Sequence, residues 1–231
     1  VEYEELYEVM IIPYVEPRFG EKMTAEIIKI DPAHPEFAFS RCRNVISRGG
    51  VIAYPTDTFY GLGADPKNPA AVKRLYEIKS RKADQPILLL IANANDVKMW
   101  TSEINPASED LMKTFWPGPL TLVFKAGADV LRELTAGTGT IGLRVPGNEL
   151  TRSLLDFLGN ALTGTSANVA GESSPQTAEE AAASIGDAVE LILDGGRTFG
   201  GRPSTVVDVS TGQPIVLREG VLPLKDLASG G

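Results

Sequence analysis

The sequence predicts a single α/β domain of the α+β type, built on one largely continuous sheet with flanking helices. Three observations carry that expectation. Short apolar runs rich in Val, Ile and Leu alternate with segments of helical periodicity. Asn-Pro pairs open two of the helical segments, and Gly49-Gly50 closes another. No linker, low-complexity tract or internal repeat divides the chain, so its strands and helices belong to one unit. At 231 residues, 43% hydrophobic and 23% charged, it is long enough to bury a sizeable core.

Residues 1–22 (VEYEELYEVMIIPYVEPRFGEK) are acidic, tyrosine-rich and broken by prolines. They read as an extension without assigned chemistry, and the domain is expected over 23–231. MTAEIIKI is the first strand. FAFSRCRNVISRGG is a helix that leads into the strand VIAY, where Pro55 stops the run. YPTDTFYGLG (54–63) then packs three small hydroxyl and carboxyl side chains before two glycines, and reads as a strand end and a flexible turn. In NPAAVKRLYEIKSRK, Asn68 is the N-cap, Pro69 the first helical residue, and Ala71, Leu75 and Ile78 the apolar stripe. PILLLIA is a continuous apolar strand, NPASEDLMKTFW repeats the Asn-Pro helix start, and PLTLVFKA is again a strand. TIGLRVP, NALTGTS, VELILDGG, STVVDV and PIVLREG supply further strands, with helices NELTRSLLDFLG and TAEEAAASIG between some of them.

Composition excludes several chemistries. The net charge of −8 disfavours a protein that holds nucleic acid mainly through phosphates. The one histidine, His34, sits between Pro32 and Pro35 and reads as a loop residue, which removes histidine-based triads, acid–base pairs and metal sites. One cysteine, Cys42, makes neither an intrachain disulfide nor a zinc cluster and fits a reducing cytoplasm. No apolar run approaches the roughly 20 residues that span a bilayer, and no signal-peptide pattern opens the chain. A cytoplasmic protein with no membrane association is expected.

Familiar motifs fail on context. GTGTIG (137–142) matches G-x-G-x-x-G, but a strand-like IGLRVPG follows it where a helix is required, so it reads as a turn. No Walker-type phosphate loop is present. GTSAN around Ser166 lacks the second glycine of a nucleophile elbow and has no histidine to activate the serine. What remains is a series of polar groups at strand ends. Lys79 and Arg81 in KSRK end a helix, as a basic C-terminus suited to the macrodipole or as an anion clamp. Arg144 interrupts an apolar strand, where it requires a partner anion or an exit to solvent. LTGTSANVAGESSP (162–175) clusters hydroxyls, an amide and glycines, as in phosphate-binding loops and in plain turns. GGRPSTVVD and VLREG repeat the pattern. Together they describe a site rich in Arg, Lys, Ser and Thr with no covalent nucleophile, suited to phosphate-bearing ligands handled by positioning and charge.

YPTDTFYGLG, LYEIKSR, FWPGPLTLV, GLRVPG, TGTSAN and STVVDV…VLREG occur in an order that resembles the YrdC/Sua5 family, the threonylcarbamoyl-AMP synthases of tRNA modification, from about Gly49 to Gly220. The resemblance implies a YrdC-like catalytic domain whose twisted sheet curves around a deep, positively lined cavity. It also implies a nucleotidyltransferase reaction. L-Threonine and bicarbonate form N-carboxythreonine, whose carboxylate attacks the α-phosphate of ATP and releases pyrophosphate. The product, threonylcarbamoyl-AMP, feeds a separate tRNA threonylcarbamoyl transferase that makes t6A at adenosine 37. ATP is then the substrate, with Mg²⁺ as its expected companion and no resident metal.

Carried over by motif, Lys79 and Arg81 are the catalytic K-x-R pair that grips the phosphates. Thr56, Thr58, Arg144 and Ser204 are expected to bind threonine, Arg144 through the carboxylate. Gln85, Thr140, Ser166, Asn168, Ser174 and Arg218 are expected on the ATP side. The sequence departs from the family pattern at Leu90, where many Sua5-type members have histidine, and at Ser80, where glycine is common. The resemblance points to the short, YrdC-type form without a further C-terminal domain, or to a YciO-like paralogue. The alternatives are an RNA-binding module without synthase activity and a related carbamoyl-adenylate activity in hydrogenase maturation.

Overall fold

The computed structural model describes residues 24–80 and 85–223. Ten strands form one mixed sheet in the order β1-β8-β2-β3-β7-β4-β6-β5-β9-β10. In chain order the elements are β1 (Glu26–Lys29), α1 (Glu36–Ser47), β2 (Ile52–Tyr54), β3 (Gly61–Gly63), α2 (Pro69–Ile78) and β4 (Leu88–Leu90). A 3₁₀ turn (Ala94–Met99), α3 (Pro106–Phe115), β5 (Leu120–Lys125), α4 (Arg132–Thr135) and β6 (Thr140–Arg144) follow. The chain continues with α5 (Glu149–Leu158), β7 (Leu162–Ser166), α6 (Ala178–Ile185), β8 (Leu191–Asp194), β9 (Thr205–Asp208) and β10 (Ile215–Arg218).

Local sequence accounts for most of these elements. The Asn68 side chain accepts hydrogen bonds from the N–H groups of Ala70 and Ala71, and Pro69 starts α2. Asn105 caps α3 in a capping box with Ser108, with Pro106 behind it. GTGTIG is a turn: Gly137 and Gly139 take positive φ, and Thr140 begins β6. His34 is an exposed turn residue. Residues 1–22, read as an extension, and Arg81 lie outside the described residues.

One reading needs correction. Gly61–Gly63, taken as a flexible turn, is strand β3, antiparallel to β2 with Tyr54 opposite Gly61 and Ile52 opposite Gly63. Gly63 is there for space, whereas a Cβ on Gly61 would make ordinary contact with Tyr54 at 3.4 Å. A Cβ on Gly63 would stand 2.6 Å from the Tyr54 ring, and the Tyr54 hydroxyl crosses beneath both glycines to donate to the Thr163 carbonyl at 2.7 Å. The short α4 and the 3₁₀ turn were also not foreseen, because four to six residues carry too little periodicity to register.

Side chains alternate across each strand, and the two sheet faces have different fates. One face is core: Leu89, Leu122, Ile141 and Leu143 pack with Leu75 of α2, Leu111 of α3 and Ile185 of α6. On the other face, α1 and α5 cover the β1-β8-β2 end through Phe39, Cys42, Leu154 and Leu155. Beyond that end, β7, β4, β6, β5 and β9 are left with a concavity instead of a helix. The face that helices do not cover is where the functional candidates collect.

Candidate active site

The concavity is a cavity of about 650 Å³. Its floor follows from the period of two. β4 contributes Leu88 and Leu90, β6 contributes Thr140, Gly142 and Arg144, and β7 contributes Gly164 and Ser166. Register aligns them: Leu88 pairs with Gly164, and Leu90 with Arg144. Glycine at 142 and 164 is what keeps the floor open. A Cβ on Gly164 would stand 2.6 Å from Leu88 Cδ1, and one on Gly142 would stand 3.1 Å from Leu88 Cβ.

Arg144 is 4% exposed. Its Nε donates to the Gly118 carbonyl at 3.0 Å, and its Nη2 donates to Oδ1 of Asp57. The anion that the strand arginine requires is therefore supplied within the protein, by the central residue of PTDT. Gly118 is itself tied by its N–H to the Val145 carbonyl, so the FWPGP turn and the end of β6 form one support for the guanidinium.

Lys79 caps the C-terminus of α2 and is 5% exposed. Its ammonium donates to the carbonyls of Ser166 (2.6 Å) and Asn168 (2.9 Å), with Asn168 Oδ1 at 3.2 Å and Ser166 Oγ at 3.3 Å. Thus Lys79 ties the helix end to the S-x-N loop. Ser80, the next residue, takes φ +48°, the left-handed region that favours glycine.

The other expected residues sort as follows. Thr56 is buried in the cavity wall and donates to the Phe59 carbonyl at 2.7 Å. Thr58 stands behind it, with the two hydroxyls 3.1 Å apart, and is not among the residues that line the cavity. Ser204 is buried beside Thr121, Oγ to Oγ1 2.9 Å. Arg218 reaches back from β10 to donate to the Ser204 carbonyl at 2.9 Å. Asn168 donates to the Glu172 carbonyl at 2.7 Å, and Thr140 shares a 2.9 Å hydroxyl contact with Thr138. Gln85 and Ser174 also line the cavity. The described structure therefore gathers Thr56, Lys79, Gln85, Thr140, Arg144, Ser166, Asn168, Ser174, Ser204 and Arg218 around one space.

Sequence reasoning missed Asp57, Thr121, Thr138 and Leu88. Thr121 and Leu88 had a signal in the strand period, two residues from Val123 and Leu90 respectively. Asp57 had one in the charge rule, since a strand arginine needs a carboxylate. Three cations, Lys79, Arg144 and Arg218, line the described cavity, and no carboxylate does, although the chain carries a net charge of −8. No group of three or more His, Cys, Asp or Glu side chains among the described residues forms a metal site. Among those residues, no helix is long and apolar enough to cross a membrane.

A family model, Sua5/yciO/yrdC, described as telomere recombination, matches residues 44–220. The chain belongs to the Sua5/YciO/YrdC family. Within the Sua5/YciO/YrdC family it is 37% identical over 201 residues to the threonylcarbamoyl-AMP synthase of Pyrococcus abyssi, covering 87% of this chain and 59% of the relative. It is 39% identical over 204 residues to the synthase of Bacillus subtilis, covering 88% and 58%. The chain thus spans somewhat under three-fifths of the length of these two relatives. Among solved structures, P. abyssi Sua5 complexed with L-threonine superposes with a TM-score of 0.85 at 37% identity, covering 88% of this chain and 60% of that one. Escherichia coli YciO superposes at 0.80 and 30% identity, covering 88% and 99%.

Proposed function

We propose that this chain is an L-threonylcarbamoyladenylate synthase, which forms threonylcarbamoyl-AMP and pyrophosphate from L-threonine, bicarbonate and ATP for t6A37 modification of tRNA. The observation that carries the reading is the cationic cavity, with no carboxylate among the described residues that line it. Both reactants are anionic, the nucleophile is a substrate carboxylate, and the protein needs no nucleophile of its own. Its task is to bring the two anions together and offset their repulsion. The match to a Sua5 that binds L-threonine supports the amino acid as ligand.

In this reading Arg144 takes the threonine carboxylate through guanidinium donors other than those bonded to Gly118 and Asp57. Thr56 and Ser204 bound the same end of the cavity, and Thr58 supports it from behind Thr56, hydroxyl to hydroxyl at 3.1 Å. Lys79 and Arg81 serve the triphosphate, with Arg218, Gln85, Thr140, Ser166, Asn168 and Ser174 on the nucleotide side. The threonine amine forms a C–N bond to the bicarbonate carbon as a C–O bond breaks and water leaves, giving the carbamate, and a carbamate oxygen displaces pyrophosphate from the α-phosphorus. The described lining offers hydroxyls, amides and cations but no carboxylate, so it does not form a magnesium site; Mg²⁺ enters as part of the MgATP substrate. A separate transferase consumes the adenylate, and the enzyme works in the cytoplasm. The RNA-binding alternative finds no favouring observation.

The test is pyrophosphate release from ATP, with L-threonine and bicarbonate omitted in turn. Release that requires both is the expected result. Release indifferent to threonine, or none with all three present, overturns the proposal.

A further inference from the structure

We infer that Asp57 is a positioning residue for amino-acid binding: it fixes the Arg144 guanidinium so that the rest of the fork meets the substrate carboxylate. The inference rests on the synthase reading of the cavity. A guanidinium has five N–H donors in a rigid plane. In Arg144 the Nε donor is committed to Gly118 and one Nη2 donor to Asp57. Two attachments at different points of one plane fix its orientation. The Nη1 pair and the second Nη2 donor remain, and Nη1 with Nη2 is an edge that takes a carboxylate bidentately. A fork aimed before the ligand arrives loses little freedom on binding.

Two details indicate that Asp57 is not there for stability alone. Only one of its oxygens is used. Oδ2 is buried and has no hydrogen-bond partner among the described residues, whereas structural Arg–carboxylate pairs frequently engage both oxygens and a buried unpaired oxygen calls for a reason. The surroundings also make room for it: a Cβ on Gly147 would stand 3.1 Å from Oδ2 and 3.3 Å from Cγ of Asp57. Side-chain exposures of 5% for Arg144 and 10% for Asp57 keep the pair out of bulk water, so neither charge is easily exchanged for solvent. Asp57 does not line the cavity and acts through Arg144.

The experiment compares wild type with Asp57→Ala, Asp57→Asn, Arg144→Ala and the Asp57→Ala/Arg144→Ala double variant. Threonine-dependent pyrophosphate release is read as kcat/KM, and L-threonine binding is measured by calorimetry. Asp57→Ala is expected to raise the threonine KM and Kd at least tenfold, with the ATP KM changed less than threefold. Asparagine keeps the oxygen that accepts from Nη2 and is expected to recover most of the loss. On the Arg144→Ala background, Asp57→Ala is expected to add less than a twofold change in kcat/KM for threonine, because its route of action is gone. Multiplicative losses in the double variant, or equal losses for ATP and threonine, overturn the inference. If Asp57→Ala does not fold, Asp57→Ser, whose shorter polar side chain lacks the carboxylate, carries the same comparison, and an effect that persists unchanged without Arg144 is again fatal. A wild type that ignores threonine refutes the synthase reading itself and is a separate result.

Discussion

Replacing Lys79 with methionine separates the tether seen in the structure from the phosphate contact expected of this residue. Methionine fills the space of the lysine stem but offers no donor. The Ser166 and Asn168 carbonyls, 2.6 and 2.9 Å from Nζ, each lose a charge-assisted bond of about 1.5–3 kcal/mol. The gross loss is about 3–6 kcal/mol. Relief from burying an ammonium that is 5% exposed returns about 1–3 kcal/mol. A net destabilisation of about 2–3 kcal/mol results, which in a domain of this size lowers Tm by roughly 5–10 °C. Scanning calorimetry of the nucleotide-free protein reads this directly. Repeating the scan with MgATP reads the second role, since the S-x-N loop that Lys79 holds is proposed to lie on the ATP side: wild type is expected to be stabilised by nucleotide, and Lys79→Met to lose most of that increment. A Lys79→Met protein that melts within about 1 °C of wild type without nucleotide refutes the reasoning about the tether.

Other substitutions test the rest of the site and fold. Arg144→Ala is expected to raise the threonine KM more than tenfold while changing the ATP KM little; equal losses in steady-state kinetics refute its assignment to the carboxylate. Gly142→Val puts a branched side chain where a Cβ already meets Leu88 and Thr121 at 3.1 and 3.3 Å, and is expected to lower threonine-dependent pyrophosphate release more than tenfold with the circular dichroism spectrum unchanged. Ser80→Gly relieves a left-handed residue at φ +48°; the relief of about 1–2 kcal/mol, less the added entropy of an unfolded glycine, leaves a rise of a few degrees in Tm. Burial pushes the Cys42 thiol up to about 12 from an ordinary 9.0. Its contribution to stability is complete below pH 9 and is lost as pH rises from 9 through 12, with a slope of about 1.4 kcal/mol per pH unit. Denaturant titrations of Cys42→Ala are expected to show a shallower alkaline decline, and the native thiol is expected to resist thiol reagents at pH 8.

The legible parts of the molecule are those in which a residue's neighbours in sequence set its role. Asn68-Pro69 and Asn105-Pro106 announce helices because the cap is made within three residues. Thr140–Arg144 and Leu120–Lys125 announce strands because their alternation is local, and that alternation already separates Leu143 from Arg144. The ordered motifs from PTDT to VLREG mark the family because they span most of the domain. None of this reveals what a side chain meets across the sheet. Gly61–Gly63 carries no strand signal; it becomes β3 by pairing with β2 and β7, and Gly63 leaves the volume that Tyr54 on the neighbouring strand occupies. Lys79 reads as a phosphate ligand in sequence, and folding sets two carbonyls from a segment almost ninety residues away against its ammonium. Asp57 and Arg144, likewise 87 residues apart, become partners only when β2 and β6 are assembled into one sheet. Sequence by itself determined most of the elements, their order and the chemical character of the site, because these depend on local periodicity and residue type. Tertiary structure alone decided which donors meet which acceptors, because burial makes every unpaired polar group costly and the partners come from distant parts of the chain.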